Sequence, residues 1–93
     1  MNKITMFHLE ECKYCDMAKR AIAELRDENP EYNNVEIEMI DELKQPDVIE
    51  NYDYWSVPSF FIGHDKVFEA ALFMPYETIK EGVRTSFEKA LED

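Results

Sequence analysis

Long apolar runs, basic residues and glycine are all scarce in this sequence of 93 residues. The N-terminal segment "MNKITMFHLEEC" contains no apolar run long enough for the core of a signal peptide, and no stretch approaches the roughly 20 apolar residues of a membrane-spanning helix. We therefore expect a cytoplasmic protein without membrane contact. The 10 basic residues are outnumbered by 21 acidic ones and form no stripe, so the net charge of −11 opposes binding to nucleic acid.

Glycine and cysteine occur only twice each. With so few glycines, and with no internal repeat or low-complexity tract, the chain has no candidate for a flexible linker. Its 45% hydrophobic and 13% aromatic residues lie within the range of globular proteins. We expect residues 1–93 to form a single domain that acts as a monomer and whose partners have neutral or basic surfaces.

Hydrophobic periodicity divides the chain into strands and helices. Apolar and β-forming residues predict strands over 3–9 and 34–41, and a hairpin of "VPSFFIG" and "KVFEA" around the turn "GHD". Apolar residues three and four positions apart predict a helix from Cys12 to about Glu28, a short one starting at Pro46 or Asp47 and ending before Val57, and one opened by Pro75. The predicted order is β-α-β-α-β-β-α.

This order of elements predicts an α/β fold. A right-handed crossover makes the first two strands parallel, the hairpin adds antiparallel strands, and helices cover both faces of a mixed sheet. The first strand should be central, and the second should be an edge strand in which Val35, Ile37 and Met39 alternate with more polar residues. The last helix carries one apolar stripe that we interpret as core: Ile79, Val83, Phe87 and Leu91.

The segment "EECKYCDMAKRAI" holds both cysteines, Cys12 and Cys15, directly after the first predicted strand. A disulfide clip across so few residues removes little entropy from the unfolded chain, and a reducing compartment keeps it open. A metal site needs further ligands, and only His8 and His64 are available to join the two thiolates, without a recognised spacing. A third interpretation is thiol–disulfide exchange.

In thiol–disulfide exchange, Cys12 would attack as a thiolate and Cys15 would resolve the mixed disulfide. Cys12 stands at the start of the predicted helix, where unpaired N–H groups and the helix dipole stabilise a negative charge by up to ~2 kcal/mol. A free thiol with a pKa of about 8.5 is only about 3% ionised at pH 7, so this effect raises the thiolate fraction strongly. Glu10 and Glu11 oppose the thiolate and Lys13 favours it, each by well under ~1 kcal/mol. Cys15, one turn further on, should be more buried.

The sequence "CKYC" after a first strand, followed later by "SVPSFFIG", resembles the thioredoxin/glutaredoxin superfamily over nearly the whole chain. The patterns C-x-Y-C and [ST]-V-P are most similar to those of glutaredoxins. The resemblance implies a thioredoxin fold with a four-stranded mixed sheet, and a cis peptide bond between Val57 and Pro58 beside Cys12. It also implies that Lys13, Tyr14, Val57 and Pro58 bind the substrate, with the Val57 backbone pairing to an extended peptide.

Two departures from the glutaredoxin pattern concern glutathione. Glutaredoxins usually carry a basic residue three positions before the first cysteine, where this chain has Leu9 followed by Glu10 and Glu11. They also carry a Gly-Gly pair after the hairpin, roughly where this chain has Glu69 and Ala70. Because glutathione is anionic at pH 7, a missing cation and added carboxylates weaken its binding. We expect the partners to be disulfide-containing proteins and a thiol reductase, with glutathione as the alternative reductant.

The sequence thus favours a thiol–disulfide oxidoreductase that reduces protein disulfides, with no bound cofactor and no metal. One alternative is a glutathione-dependent glutaredoxin, and another is a protein that holds an iron–sulfur cluster or zinc on the same cysteines, across a dimer. A third is an interaction module in which "KVFEAALFMPY" forms an apolar contact surface. We expect instead that Phe68, Leu72, Phe73 and Met74 are buried under the last helix, and that Trp55 packs at the end of the second helix.

Overall fold

The computed structural model of the protein describes residues 2–92 and has the predicted order of elements. The strands are β1 (Ile4–His8), β2 (Ile37–Asp41), β3 (Ser59–Ile62) and β4 (Asp65–Glu69), and the helices are α1 (Lys13–Glu28), α2 (Pro46–Ile49) and α3 (Tyr76–Leu91). A short 3-10 helix, Pro30–Asn34, separates α1 from β2. Among residues 2–92 there is no helix whose length and apolar character would let it cross a lipid bilayer.

The strands form one mixed sheet in the order β2-β1-β3-β4. β1 and β2 are parallel, with Ile4 opposite Ile37, whereas β3 is antiparallel to both β1 and β4. The central position of β1, the edge position of β2, the parallel first pair and the antiparallel hairpin confirm the predicted topology.

Strand direction brings four loops to one end of the sheet. β1 and β2 both finish there, at His8 opposite Asp41. β3 begins there, because Ser59 pairs with Phe7 of β1 and with Glu69 at the end of β4. We call this end, with the loops 9–12, 42–45, 50–58 and 70–75, the cysteine end.

Apolar side chains cover both faces of the sheet. On one face, side chains of β1, β3, α1 and α3 form the larger core cluster, in which the predicted stripe residues Ile79, Val83 and Phe87 are fully buried. On the other face, a smaller cluster lies beneath α2: Phe7, Ile40 and Phe61, with Val48, Ile49, Tyr52, Tyr54 and Val57 packed against them. Each fully buried side chain of this size contributes about 1.5–3 kcal/mol. Burial on both faces holds the helices in the predicted layers.

The helix α1 has a defined end as well as a defined face. Its buried residues are Ala18, Ala21, Ile22 and Leu25, together with Cys15 near its start. The C-cap residue Asn29 donates its backbone N–H to the Leu25 carbonyl at 2.8 Å, and its side chain accepts a bond from the Glu31 N–H at 3.2 Å. The following Pro30 disfavours helix at Asn29, so α1 ends at Glu28, where the sequence predicted its end. The buried face of α1 includes Cys15, so packing on the sheet positions the start of the helix at the cysteine end.

Two details differ from the prediction. Met39 is 40% exposed whereas Ile40 is buried, because the second half of β2 packs with the smaller cluster under α2 and not with the larger one. The spacing of Val48, Ile49 and Tyr52 predicts that all three lie on one face of the second helix, but this helix ends at Ile49 and Tyr52 lies outside it. Instead, the Tyr52 ring reaches the sheet from a turn, with 4.8 Å between its centre and that of Phe7.

Candidate active site

The cysteine pair lies where the loop after β1 turns into α1. Cys12 is the N-cap residue of α1 and is joined to Cys15 by a disulfide, with 5.1 Å between the two Cα atoms. The Sγ of Cys12 also accepts a hydrogen bond from the backbone N–H of Cys15 at 3.1 Å. An acceptor at this position satisfies one of the unpaired N–H groups of the first helical turn. The predicted place of Cys12 at the helix start is confirmed.

The two sulfurs differ in access. Cys15 is fully buried, whereas Cys12 is partly exposed. A partner can therefore approach the sulfur of Cys12 from solvent, whereas the sulfur of Cys15 is shielded from solvent. This is the difference in burial that the sequence predicted.

Charged side chains lie around the pair. Glu10 forms an exposed ion pair with Lys44 of the loop after β2, at 3.1 Å. Lys13 is exposed, with its Nζ 5.7 Å from the centre of the Tyr14 ring, and Glu11 is exposed with a backbone φ of 55°. Because Lys44 offsets Glu10, the carboxylates before Cys12 oppose a thiolate less than the sequence alone indicated.

The peptide bond between Val57 and Pro58 is cis, as the resemblance implied. Pro58 is buried, and its carbonyl accepts a hydrogen bond from the Ala70 N–H at 3.0 Å. Val57 is half-buried against the cluster under α2. Because Pro58 directly precedes β3, this bond lies at the same end of the sheet as Cys12.

Glu69 is a site residue that the sequence interpretation missed. Its Oε2 accepts hydrogen bonds from the backbone N–H groups of Trp55 and Ser56, both at 2.6 Å, and its Oε1 pairs with Lys66 at 2.7 Å. Burial raises the pKa of Glu69, but the ion pair with Lys66 and the two N–H bonds outweigh burial and hold the pKa below its ordinary value. The available signal was a glutamate roughly where glutaredoxins have glycine. Its carboxylate fixes the loop that leads to Pro58.

Tyr14 connects the helix of the cysteines to the loop after β4. Its hydroxyl accepts a hydrogen bond from the backbone N–H of Phe73 at 2.7 Å, and its ring packs against the larger core cluster. Phe73 has a φ of 66°, in the left-handed region that bulky residues rarely occupy. Tyr14 therefore holds the loop 70–75 next to the cysteine pair.

The two histidines lie at different ends of the sheet. His64 is in the turn between β3 and β4, where its ring stacks on Tyr52. His8 ends β1; burial lowers its pKa first, repulsion from Lys19 adds to the effect, and its buried Nδ1 has no hydrogen-bond partner among residues 2–92. Within the same residues, no group of three or more His, Cys, Asp or Glu side chains is placed to hold a metal ion.

Trp55 is exposed, contrary to the prediction that it packs at the end of the second helix. Its side chain is 91% exposed. The packing place is taken by the preceding residue, Tyr54, whose ring stacks on Phe7 with 4.8 Å between ring centres. The Tyr54 side chain points toward the sheet, and Glu69 binds the backbone N–H of Trp55. The Trp55 side chain therefore stays in solvent.

The predicted burial of the loop after β4 is half right. Phe68, which lies within β4, and Met74 are partly buried against the larger core cluster, in the direction expected. Leu72 and Phe73 are 77% and 90% exposed, which contradicts the prediction. The left-handed backbone at Phe73 breaks the local repeat, so neighbouring side chains of this loop do not share one buried face.

Comparisons with known proteins agree with this geometry. Among solved structures, the chain is similar to thioredoxin 1 from the thermophilic eubacterium Thermosipho africanus, with a TM-score of 0.56 and 17% identity over 97% of this chain and 99% of that one. This likeness shows the thioredoxin fold. No curated protein matches the chain. The family model described as Glutaredoxin matches residues 4–67, which include both cysteines and the Val57–Pro58 bond, and the chain therefore belongs to the glutaredoxin family.

Proposed function

We propose that the protein is a thiol–disulfide oxidoreductase that reduces disulfides of other proteins by dithiol exchange through Cys12 and Cys15. The observation that carries this proposal is a partly exposed Cys12 at the N-terminus of α1, joined in a disulfide to a buried Cys15 one turn further on. Glutaredoxins and thioredoxins are generally oxidoreductases, and the family match supports the same class for this chain.

In the reduced protein, Cys12 is the nucleophile. Its thiolate stands at the N-terminus of a helix of 16 residues, where the dipole and the N–H of Cys15 stabilise negative charge. The thiolate attacks one sulfur of the substrate disulfide. A bond forms between the Cys12 Sγ and that sulfur, and the other substrate sulfur leaves as a thiolate and takes up a proton.

Cys15 completes the exchange. Its thiol loses a proton and attacks the Cys12 Sγ, so that the intramolecular disulfide forms and the second substrate sulfur leaves as a thiolate. Two electrons have then passed from the cysteine pair to the substrate. A thiol reductase, or two glutathione molecules, returns the pair to the reduced state.

Four residues near the pair are proposed to bind the substrate: Lys13, Tyr14, Val57 and Pro58. The backbone N–H and C=O groups of Val57 have no backbone partner among residues 2–92. They are free to pair with an extended peptide, as an added strand pairs with a sheet edge. We propose the cytoplasm as the site of action, because its thiol systems keep such a pair reduced.

Serine substitutions test the roles of the two cysteines, because serine keeps the side-chain size and removes the exchangeable sulfur. We expect Cys12→Ser to abolish reduction of the insulin disulfides. Cys15→Ser should instead accumulate a mixed disulfide between Cys12 and the substrate, seen as a covalent adduct by mass spectrometry under non-reducing conditions. Full reductase activity in Cys12→Ser would show that Cys12 is not the nucleophile.

The wild-type protein also distinguishes the alternatives. We expect turnover when a thioredoxin reductase supplies electrons. Turnover only with glutathione and its reductase would make the protein a glutathione-dependent glutaredoxin. Stoichiometric zinc or iron in the freshly purified protein, together with a dimer in size-exclusion chromatography, would favour a metal-binding role for the same cysteines.

A further inference from the structure

Three large apolar side chains on two adjoining loops of the cysteine end remain in solvent: Trp55, Leu72 and Phe73, which we call the apolar rim. Their exposed fractions are 91%, 77% and 90%. Isolated exposed apolar residues are ordinary on a protein surface. Several on adjoining loops beside a reactive pair are typical of a contact site for another molecule.

Hydrogen bonds join the two loops of the rim. The Glu69 carboxylate holds the backbone N–H groups of Trp55 and Ser56. The Ser56 hydroxyl donates to the Ala70 carbonyl at 2.5 Å, and the Ala70 N–H donates to the Pro58 carbonyl at 3.0 Å. The backbone of Trp55 is therefore fixed to the segment that leads to the other two rim residues.

Phe73 adopts an unfavourable backbone conformation without a packing gain. Its φ of 66° is strained for a bulky side chain, and its ring is too exposed to stabilise the core. The Tyr14 hydroxyl maintains this conformation by binding the Phe73 N–H. A strained and exposed aromatic residue beside a reactive site points to a functional contact rather than to stability.

The charge of the cysteine end decides which partner fits the apolar rim. The four loops carry five carboxylates and one cation, Lys44, and the exposed Lys13 at the start of α1 adds a second cation. The carboxylates are Glu10, Glu11, Glu42, Glu50 and Asp53. A second copy of the chain would bring a further charge of −11, so repulsion opposes self-association through the rim. A partner whose apolar segment is flanked by lysine or arginine is attracted instead.

We infer that the apolar rim docks a segment of a partner protein that carries apolar side chains flanked by basic residues. This inference rests on the proposed function, because the docked segment is the one that presents its disulfide to Cys12. Tyr14 ties Phe73 to the helix of the cysteines, so a segment on the rim lies within reach of the reactive sulfur. Buried aromatic anchors supply much of the binding energy at such contacts.

A comparison of two substrates tests the rim separately from the chemistry. One is neutral hydroxyethyl disulfide, and the other is a synthetic peptide disulfide with leucines beside the cysteines and lysines beyond them. We expect the ratio of kcat/KM for the peptide to kcat/KM for the small disulfide to fall about 10- to 30-fold in Trp55→Ala and in Phe73→Ala. Leu43→Ala is the matched control, because Leu43 is 83% exposed at the same end but follows the edge strand β2.

A second variant at Phe73 distinguishes loss of the contact between the ring and the partner from loss of protein stability. Phe73→Gly removes the ring and fits the positive φ without strain, so it keeps or improves the stability of the turn. We expect the same loss of the kcat/KM ratio as in Phe73→Ala, with an unfolding midpoint no lower than that of the wild type.

Binding without chemistry provides an independent measurement. The double variant Cys12→Ser/Cys15→Ser is titrated with a cysteine-free peptide of leucines flanked by lysines, and the fluorescence of Trp55, the single tryptophan, reports binding. We expect saturable binding that weakens with added NaCl, because surface charges are screened. A matched peptide with glutamates in place of the lysines should bind at least about tenfold more weakly.

These experiments distinguish a failure of the proposed function from a failure of the apolar rim as a docking surface. If the wild type reduced neither insulin nor hydroxyethyl disulfide, the proposed function would be contradicted, and the peptide titration would still decide whether the apolar rim binds. Normal reduction with an unchanged substrate ratio in Trp55→Ala and Phe73→Gly would overturn the rim as a docking surface. Equal binding of the acidic and basic peptides, or a dimer abolished by Phe73→Gly, would overturn the proposed basic partner.

Discussion

Glu69 sets the shape of the loop before Pro58 through a single carboxylate. The N–H groups of Trp55 and Ser56 both donate to it, and a hydrogen bond to a charged group contributes about 1.5–3 kcal/mol. A glycine, which the family usually has near this position, offers no side-chain acceptor. The departure that weakens the case for glutathione is therefore also a local source of order.

We expect Glu69→Gln to lower the free energy of unfolding at pH 7 by about 1–3 kcal/mol. In the folded protein the pKa of Glu69 lies below its ordinary value of 4.5. The stabilisation is thus fully present above that ordinary value and is lost as pH falls through the lower folded value. Urea unfolding at pH 7 and at about pH 3 measures the difference between wild type and variant, which should shrink at the acidic pH.

The matched control for this prediction is Glu92→Gln, which removes a carboxylate from the exposed end of α3. It should leave the unfolding free energy within about 0.5 kcal/mol of wild type at both pH values. A Glu69→Gln effect that is equally large at both pH values would show that the charge of the carboxylate is not responsible.

At the scale of single residues, chemistry tied to a short pattern could be predicted, but the exposure of the loop residues Trp55, Leu72 and Phe73 could not. Cys12, Cys15 and the cis bond at Pro58 each follow from a local motif or from its family resemblance. The exposure of Trp55 depends on Tyr54 taking the packing place against the sheet, which is a choice between two neighbouring aromatic residues. No spacing rule separates those two neighbours.

At the scale of elements, α3 packs closely against β4 at Gly82. A Cβ atom at this position would overlap with the ring of Phe68. In an open helix, alanine in place of glycine stabilises by up to about 1 kcal/mol, but overpacking a filled core costs about 1–3 kcal/mol. We therefore expect Gly82→Ala to lower the free energy of unfolding by about 1–2 kcal/mol, measured by urea denaturation.

A double variant checks that the Phe68 ring causes this loss. In a Phe68→Leu background the space beside residue 82 is larger, so adding Gly82→Ala should be neutral or stabilising. The difference between the two backgrounds gives the interaction energy of the pair. A stabilised Gly82→Ala single variant would contradict the close approach of α3 to β4.

At the scale of elements, periodicity predicted which segments are helices and strands but was weaker on ends and faces. The four-residue spacing of α3 was sufficient because Ile79, Val83 and Phe87 are fully buried and Leu91 packs against the same cluster. In β2, the alternation favoured Met39, yet Ile40 is the buried residue, because a five-residue edge strand contacts different layers along its length. The burial of Ile40 depends on packing with α2, a separate segment of the sequence, so the pattern of β2 alone does not predict it.

For the whole molecule, the element order and the handedness of crossovers were enough to predict the sheet and its layers. They were not enough to predict how the loops of the cysteine end contact one another. The Tyr14–Phe73 hydrogen bond and the Glu10–Lys44 ion pair join residues far apart in the sequence. Neither pairing leaves a periodic signal, so both required the structure.

Folding gathers the net charge of −11 into a small volume. The radius of gyration is 12.3 Å, against about 30 Å for an unfolded chain of this length. Like charges are therefore closer in the folded state, and their repulsion opposes folding. Ion pairs such as Lys3–Glu38 and Glu10–Lys44 stabilise the folded state. They are exposed, however, and contribute only about 0–1 kcal/mol each.

We therefore expect moderate salt to stabilise the protein. Raising NaCl from about 0.01 M to 0.15 M shortens the Debye length from about 30 Å to 8 Å and should raise the free energy of unfolding by on the order of 1–3 kcal/mol. Urea unfolding should show one cooperative transition at both salt concentrations, as expected for a single domain. A matched variant with a net charge of −8 (−11 + 3), made by Glu31→Gln, Glu36→Gln and Glu92→Gln, should respond less. Stability that falls with salt would mean that the surface ion pairs outweigh the repulsion, and two separate transitions would contradict the single domain.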